Sequence, residues 1–240
     1  MALDYLIVYK SDYPKIRIGS KNDGGYIIAD NLDYDCIISC GIADDITFEK
    51  NVLNKYPNIP CYSFDGTIEA LPEKEDRITF IKKNISYYDS ENKTTLSDII
   101  DKYNNILFKM DIESYEFRWL QIMTQERLNK MKQIIIEFHF PFKPYHNIPH
   151  FDTDLPVQDK INTLIKISNN HTLIHLHGNN CCEVSLFNNI VVPNIFECTY
   201  VRQDIQPKKQ RSTDPIPGIL DRPNLPGADI ILYGYPFTNE

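Results

Sequence analysis

Apolar and polar positions along this chain fall into two alternating periods. Cys36-Ile37-Ile38-Ser39-Cys40 is a short apolar run that stops at Gly41. Asp44-Asp45-Ile46-Thr47-Phe48-Glu49 starts acidic, continues with helical spacing and must stop before Pro57. This pattern predicts a buried strand over 36–40, a tight turn and a helix over about 44–55. A second strand, Cys61-Tyr62-Ser63-Phe64, ends on Asp65, and 78–81 reads as a third near the sheet edge. Residues 106–110 form a fourth strand that closes on Asp111. A helix carrying Phe117, Trp119, Leu120 and Ile122 follows it. Residues 132–139 are nearly all apolar until Glu137 and His139. Such a run is expected of a strand covered on both faces, as in a parallel sheet. Residues 172–177 and 194–202 supply a sixth and a seventh strand. Thr95 is placed to cap a helix that runs to about Tyr103, and 159–168 is an amphipathic helix. Strand and helix alternate, so the fold class is α/β with an open, mostly parallel sheet.

The flanks read differently. Residues 16–19 and Tyr26-Ile27-Ile28-Ala29, joined through Asp23-Gly24-Gly25, predict a β-hairpin; consecutive glycines also let a backbone approach a ligand closely. The four prolines and two histidines of 140–156 predict a long loop over the active end of the sheet. From 206 the chain is rich in proline and charge. A single domain over 1–205 is therefore expected, with 206–240 as a tail packed on its surface or partly ordered.

Charge and cysteine usage narrow the function classes. The 240 residues carry a formal net charge of -8, so no broad basic footprint for nucleic acid is evident. No stretch approaches 18 uninterrupted apolar residues, and the first residues do not read as a secretory signal. The six cysteines sit mostly in apolar, strand-like contexts and are expected to be reduced and structural, in a cytoplasmic protein.

Four constellations carry chemistry. Strand, Gly41, helix, then a strand ending on Asp65 is the arrangement in which a nucleotide lies over the carboxyl ends of two strands and an acid takes the ribose hydroxyls. The bland alternative is an ordinary β-α-β unit with a turn glycine and a surface aspartate. Asp111-Ile112-Glu113 puts two carboxylates at a sheet edge, where they take hydrogen bonds from a cofactor amine or hold a divalent cation such as magnesium. An acidic first helical turn accounts for them equally well. Glu137 and His139 share one face of their strand. His139 is the candidate general base with Glu137 orienting it; alternatively both bind a metal with Asp111, or His139 is a hydrogen-bonded structural residue. His175 and His177 precede Gly178-Asn179-Asn180. Zinc is disfavoured there because Cys181 and Cys182 are adjacent, and a hydroxyl-rich substrate suits His177, Asn179 and Asn180 better. Turn geometry alone is the plainer account.

Asp23-Gly24-Gly25-Tyr26, Ser39-Cys40-Gly41-Ile42-Ala43-Asp44-Asp45-Ile46-Thr47-Phe48-Glu49, Phe64-Asp65 and Lys109-Met110-Asp111-Ile112-Glu113 together resemble the FkbM-like S-adenosylmethionine-dependent methyltransferases. His177-Gly178-Asn179-Asn180 and Glu197-Cys198-Thr199-Tyr200-Val201 resemble the C-terminal strands of one branch of that family. The resemblance spans roughly 16–202. It implies a class I methyltransferase fold of seven strands, the last antiparallel, with helices on both faces. It implies that Gly41, with Ile42 and Asp44, holds the methionine part of the cofactor, that Asp65 and Gly66 hold the ribose, and that Asp111 and Ile112 face the cofactor's amino group or the transfer site. Asp23, Gly24 and Gly25 join the cofactor wall, and Glu113 stands on the substrate side. The turn after the first strand has one glycine where many methyltransferases have more. The family acts mostly on oxygen, often on sugars. The expectation is therefore O-methylation of a small-molecule or glycan acceptor, without nucleic-acid or membrane partners. The rivals are a non-catalytic binding module on the same scaffold and a nicotinamide-dependent oxidoreductase; the missing Gly-x-Gly-x-x-Gly speaks against the latter.

Overall fold

A computed structural model describes residues 2–143 and 155–238. In chain order the elements are β1 (Lys15–Gly19), β2 (Gly25–Ala29), β3 (Cys36–Cys40), α1 (Thr47–Lys55), β4 (Cys61–Phe64), β5 (Ile78–Ile81), β6 (Asn84–Ile85), β7 (Lys93–Thr94), α2 (Ser97–Ile100), β8 (Ile106–Met110), α3 (Glu116–Ile122), α4 (Gln125–Asn129), β9 (Met131–His139), α5 (Val157–Ser168), β10 (His171–Gly178), β11 (Val184–Phe187), β12 (Ile190–Pro193) and β13 (Ile195–Arg202). Seven of the strands form one sheet in the order β10-β13-β9-β8-β3-β4-β5. The five strands from β9 to β5 run parallel, and β13 is antiparallel to both its neighbours. This is the seven-stranded class I methyltransferase sheet with its last strand antiparallel.

The continuous apolar runs have a direct explanation, because alternate side chains enter two different cores. Cys36, Ile38, Phe108, Met110, Ile134 and Ile136 pack into one. Ile37, Leu107 and Ile135 pack into the other. Successive strand residues point to opposite faces, so a strand buried on both sides has no polar positions to alternate. The second face turns polar toward its carboxyl edge, where Ser39, Lys109, Glu137, His139 and Glu197 are all buried. The β1–β2 hairpin lies across this face. The backbone amide of Ala29 donates to Gln133, and Thr199 Oγ1 donates to the Ile27 carbonyl.

Several boundaries differ from expectation. The helix expected from 44 starts at Thr47, because Asp45 Oδ1 accepts the Thr47 amide at 2.7 Å and holds the preceding residues as a turn. Thr95 does not cap α2. Leu96 takes that position in a left-handed conformation (φ 64°), and α2 stops at Ile100. The β11–β12 and β6–β7 pairs were not foreseen. Of the loop expected over 140–156, residues 144–154 lie outside the described residues.

The proline-rich segment is built into the fold. Tyr9 pairs with Arg211, and Ser212 N donates to the Val8 carbonyl. Ile216, Leu232 and Phe237 are buried in the larger core. Among the described residues no helix is long and apolar enough to cross a membrane.

Candidate functional site

The carboxyl ends of β3, β4 and β8 open into a cavity of about 830 Å³. Its floor is the turn at Gly41. Gly41 has φ +77°, and a Cβ there would stand 1.7 Å from the Asp111 carbonyl oxygen. Only glycine lets these two backbone segments close on each other. Of the residues proposed for the cofactor, Asp23, Gly24, Gly41, Ile42, Asp44, Asp65, Gly66, Asp111 and Ile112 all line this cavity, as does Glu113. Gly25 does not; it is buried at the start of β2, where a Cβ would collide with the Ser20 carbonyl and the Arg17 guanidinium.

Asp65 stands where it was expected, at the end of β4, but its carboxylate already has partners. Oδ2 accepts the Ile42 and Ala43 amides at 2.9 and 3.0 Å. Oδ1 accepts the Thr67 amide and hydroxyl at 2.7 and 2.6 Å. Burial opposes ionisation, yet these hydrogen bonds hold the carboxyl below its ordinary range. Asp65 thus shapes the glycine turn itself, and a ribose hydroxyl would have to displace Thr67 to reach it.

Residues that the sequence reading missed complete the wall. Lys109 is buried in mid-strand and donates to the Gly41 carbonyl at 2.5 Å, with its ammonium 5.4 Å from the Tyr26 ring centroid. Glu49 of α1 accepts a hydrogen bond from Ser39 through Oε1, while its buried Oε2 has no hydrogen-bond partner among the described residues. Burial raises the Glu49 carboxyl above its usual range. Tyr26 donates to Asp111 Oδ2 at 3.1 Å. Phe48, Phe64 and Ile85 supply apolar surface. A lysine inside the otherwise apolar run 106–110 was the one available sign of this arrangement.

Beside the cavity, His139 sits among carboxylates. Its Nε2 lies 3.4 Å from Glu113 Oε2, 3.7 Å from Asp111 Oδ1 and 3.9 Å from Glu137 Oε1. Its Nδ1 is 3.3 Å from Glu116 Oε1, which also accepts the His139 amide at 2.7 Å. Burial works to lower the imidazole pKa, but the charge and hydrogen bond of Glu116, then Glu137 and Asp111, carry it up to about 10. Glu116, against Nδ1, is the nearest of the four carboxylates to the ring, and Glu137, at 3.9 Å, is the farthest. Glu137 accepts the Asn179 side-chain amide at 2.8 Å, and burial raises its carboxyl well above the usual range, with Asp111's charge adding to the effect.

The proposed acceptor residues His177, Asn179 and Asn180 are not on the cavity wall. His177 Nε2 lies 3.0 Å from both carboxylate oxygens of Asp229, and Nδ1 is 3.6 Å from Glu197. Asn180 donates to the Leu225 carbonyl at 2.9 Å and accepts the Leu225 amide at 2.8 Å. Asn179 accepts the Cys181 amide through its side-chain oxygen. His177 and Asn180 fasten the C-terminal segment, whereas Asn179 bonds Glu137 and its own turn. The partners of His177 and Asn180 lie in 221–229, which no local pattern shows to be adjacent. The metal set also changes. Asp111, Glu113 and His139 each bring one donor atom within 4.8 Å of the others, whereas Glu137 is not in that group.

Comparison with curated proteins gives no match. Among solved structures, a fibrillarin/Nop5p complex is 9% identical with a TM-score of 0.39, covering 71% of this chain and 74% of that one. The plantazolicin methyltransferase BpumL in complex with SAH is 10% identical with a TM-score of 0.39, covering 72% and 77%. A riboflavin biosynthesis protein from Shewanella sp. PV-4 is 14% identical with a TM-score of 0.23, covering 72% and 81%. The methyltransferase FkbM domain matches residues 20–172, more than half of the chain and the stretch that builds the cavity. The chain belongs to the FkbM methyltransferase domain family.

Proposed function

We propose that this chain is an S-adenosylmethionine-dependent O-methyltransferase acting on a hydroxyl of a small polar acceptor, a carbohydrate by family analogy. The observation that carries the reading is the cavity over β3, β4 and β8, whose charges complement the cofactor. The partnerless Glu49 Oε2 suits the α-ammonium, and Lys109 suits the α-carboxylate. Phe48, Phe64 and Ile85 suit an apolar ring, and the Gly41 turn leaves room where a side chain would fill the floor. When bound, the cofactor supplies an electrophilic sulfonium methyl group.

The chain's own residues supply position and exclusion of water. The cavity wall aligns an acceptor oxygen with the methyl carbon, which makes a two-body encounter effectively intramolecular. Asp111 and Glu113 accept hydrogen bonds from the acceptor's hydroxyls, and the carboxylate facing the reacting hydroxyl takes its proton as the oxygen gains the methyl group and S-adenosylhomocysteine leaves; His139 holds those carboxylates in place. Six free cysteines, four of them buried, favour a reducing compartment such as the cytoplasm.

Calorimetric titration of the full chain with S-adenosylhomocysteine tests the cofactor assignment. One equivalent is expected to bind, and NAD is not. Lys109→Met is expected to weaken that binding about tenfold or more, since it removes a charge-assisted partner and leaves the Gly41 carbonyl unpaired. Binding of NAD alone would sink the reading. Transfer of labelled methyl from S-adenosylmethionine to a panel of sugars then tests the acceptor class.

A further inference from the structure

The side chains at the ends of β8 and β9 bring three donor atoms within 4.8 Å of one another, from Asp111, Glu113 and His139. Asp111 and Glu113 place one oxygen each at 3.7 and 3.4 Å from His139 Nε2. Donors about 2.1 Å from a shared cation stand about 3 Å apart when adjacent and about 4.2 Å when opposed. The observed separations already fall in that range.

Each donor is also held from behind. The Tyr26 hydroxyl takes Asp111 Oδ2, which leaves Oδ1 facing His139. Glu113 and Ser114 both have left-handed backbone (φ 55° and 76°), and this turn carries the Glu113 carboxylate to within 3.4 Å of the imidazole. Glu116, fully buried, stands against Nδ1, and its second oxygen has no hydrogen-bond partner among the described residues. A buried carboxylate on one ring nitrogen fixes the tautomer and directs the other nitrogen outward, the arrangement found behind metal-bound histidines. The set opens on the cavity through Asp111 and Glu113.

We propose that Asp111, Glu113 and His139 hold a divalent cation of the manganese or magnesium kind, with Glu116 as positioning residue and the remaining coordination positions open to hydroxyl oxygens of the acceptor. One nitrogen and two carboxylates match a hard-to-borderline cation rather than a thiophilic one. The cation site stands on these residues alone; only the acceptor clause rests on the methyl-transfer reading. Such a cation would orient and polarise an acceptor hydroxyl at the edge of the cavity.

Titration of the full chain with Mn²⁺, followed by electron paramagnetic resonance, tests the site. One Mn²⁺ per chain is expected. Glu113→Gln, whose side chain is 66% exposed and outside the core, is expected to weaken binding at least about tenfold. Glu116→Gln is expected to weaken it about 10–100-fold while every first-contact ligand remains. S-adenosylhomocysteine affinity, measured on the same samples, separates the two readings. If Mn²⁺ does not bind stoichiometrically, or if Glu113→Gln binds it as tightly as the parent chain, the carboxylate cluster is an ion-pair network and the proposal is overturned, whatever the adenosyl ligand does. Stoichiometric Mn²⁺ that weakens in both variants supports the site even if S-adenosylhomocysteine fails to bind.

Discussion

At the scale of single residues, the cavity depends on one backbone contact. Gly41 combines a left-handed φ of +77° with an Asp111 oxygen 1.7 Å from where a Cβ would lie. Gly234 has a similar φ of +67° with nothing within 4 Å. Gly234→Ala therefore isolates the backbone cost, about 1–2 kcal/mol, whereas Gly41→Ala adds a clash that only movement of β8 can relieve. The expected outcome is a small fall in melting temperature for Gly234→Ala. For Gly41→Ala, a fall several times larger is expected, together with loss of S-adenosylhomocysteine binding. Equal shifts for the two variants would show that the contact with Asp111 relaxes freely. Gly41 was legible in the sequence because a strand stopped on it and a helix followed. Lys109 and Glu49 were not, since pattern reading assigns them to an apolar strand and a polar helix face. Their importance comes from where those faces end up, under the turn.

At the scale of elements, the sheet was legible because burial on both faces leaves a signature of unbroken apolar runs. β11 and β12 were overlooked, although Asn188-Asn189, both left-handed (φ 50° and 63°), form the two-residue turn that such hairpins favour. The polar ends of β10 and β13 misled because their partners come from 221–229. His175 Nε2 lies 2.9 Å from Asp221, and His177 is held by Asp229 and Glu197. Burial alone would lower the His177 pKa. Glu197, by hydrogen bond and charge, with Asp221 and Asp229, carries it up to about 9. The folded value thus exceeds the ordinary value of about 6.5, so the stabilisation is complete below that pH and is lost as pH rises through about 9. Asp229→Asn is expected to cost about 1–3 kcal/mol at pH 6 and much less at pH 10. Thermal melts of the two proteins across this range give the test. A gap that stays constant with pH would mean that His177 carries no proton in the fold.

At the scale of the whole molecule, composition pointed to a tail packed on the surface or partly ordered, and the structure shows how that segment is packed. Proline and charge lower the apolar content of 206–240, which is why the segment reads as loosely held. The few apolar residues it has are well placed. Ile216, Leu232 and Phe237 are each less than 7% exposed and join the larger core. The segment also closes backbone hydrogen bonds with the N-terminal stretch, from Lys10 to the Gln210 carbonyl and from Ser212 to the Val8 carbonyl. Asn224 donates to both Asp23 on the cavity wall and buried Glu197, and so ties the segment to the site. Ending the chain at 205 would lose the burial of three large side chains, roughly 5–9 kcal/mol at about 1.5–3 kcal/mol each. It would also take Asp221 from His175, Asp229 from His177, the Leu225 backbone from Asn180 and Asn224 from Glu197. That loss is comparable to the 5–15 kcal/mol typical of a whole domain. The expected result is a chain that fails to fold or melts far below the parent protein, not a trimmed and active domain. Solubility, circular dichroism and a melting curve of the 1–205 chain decide it. Should that chain melt cooperatively near the parent temperature, 206–240 would be an appendage after all, and its contacts with His177 and Asn180 would be incidental to the fold.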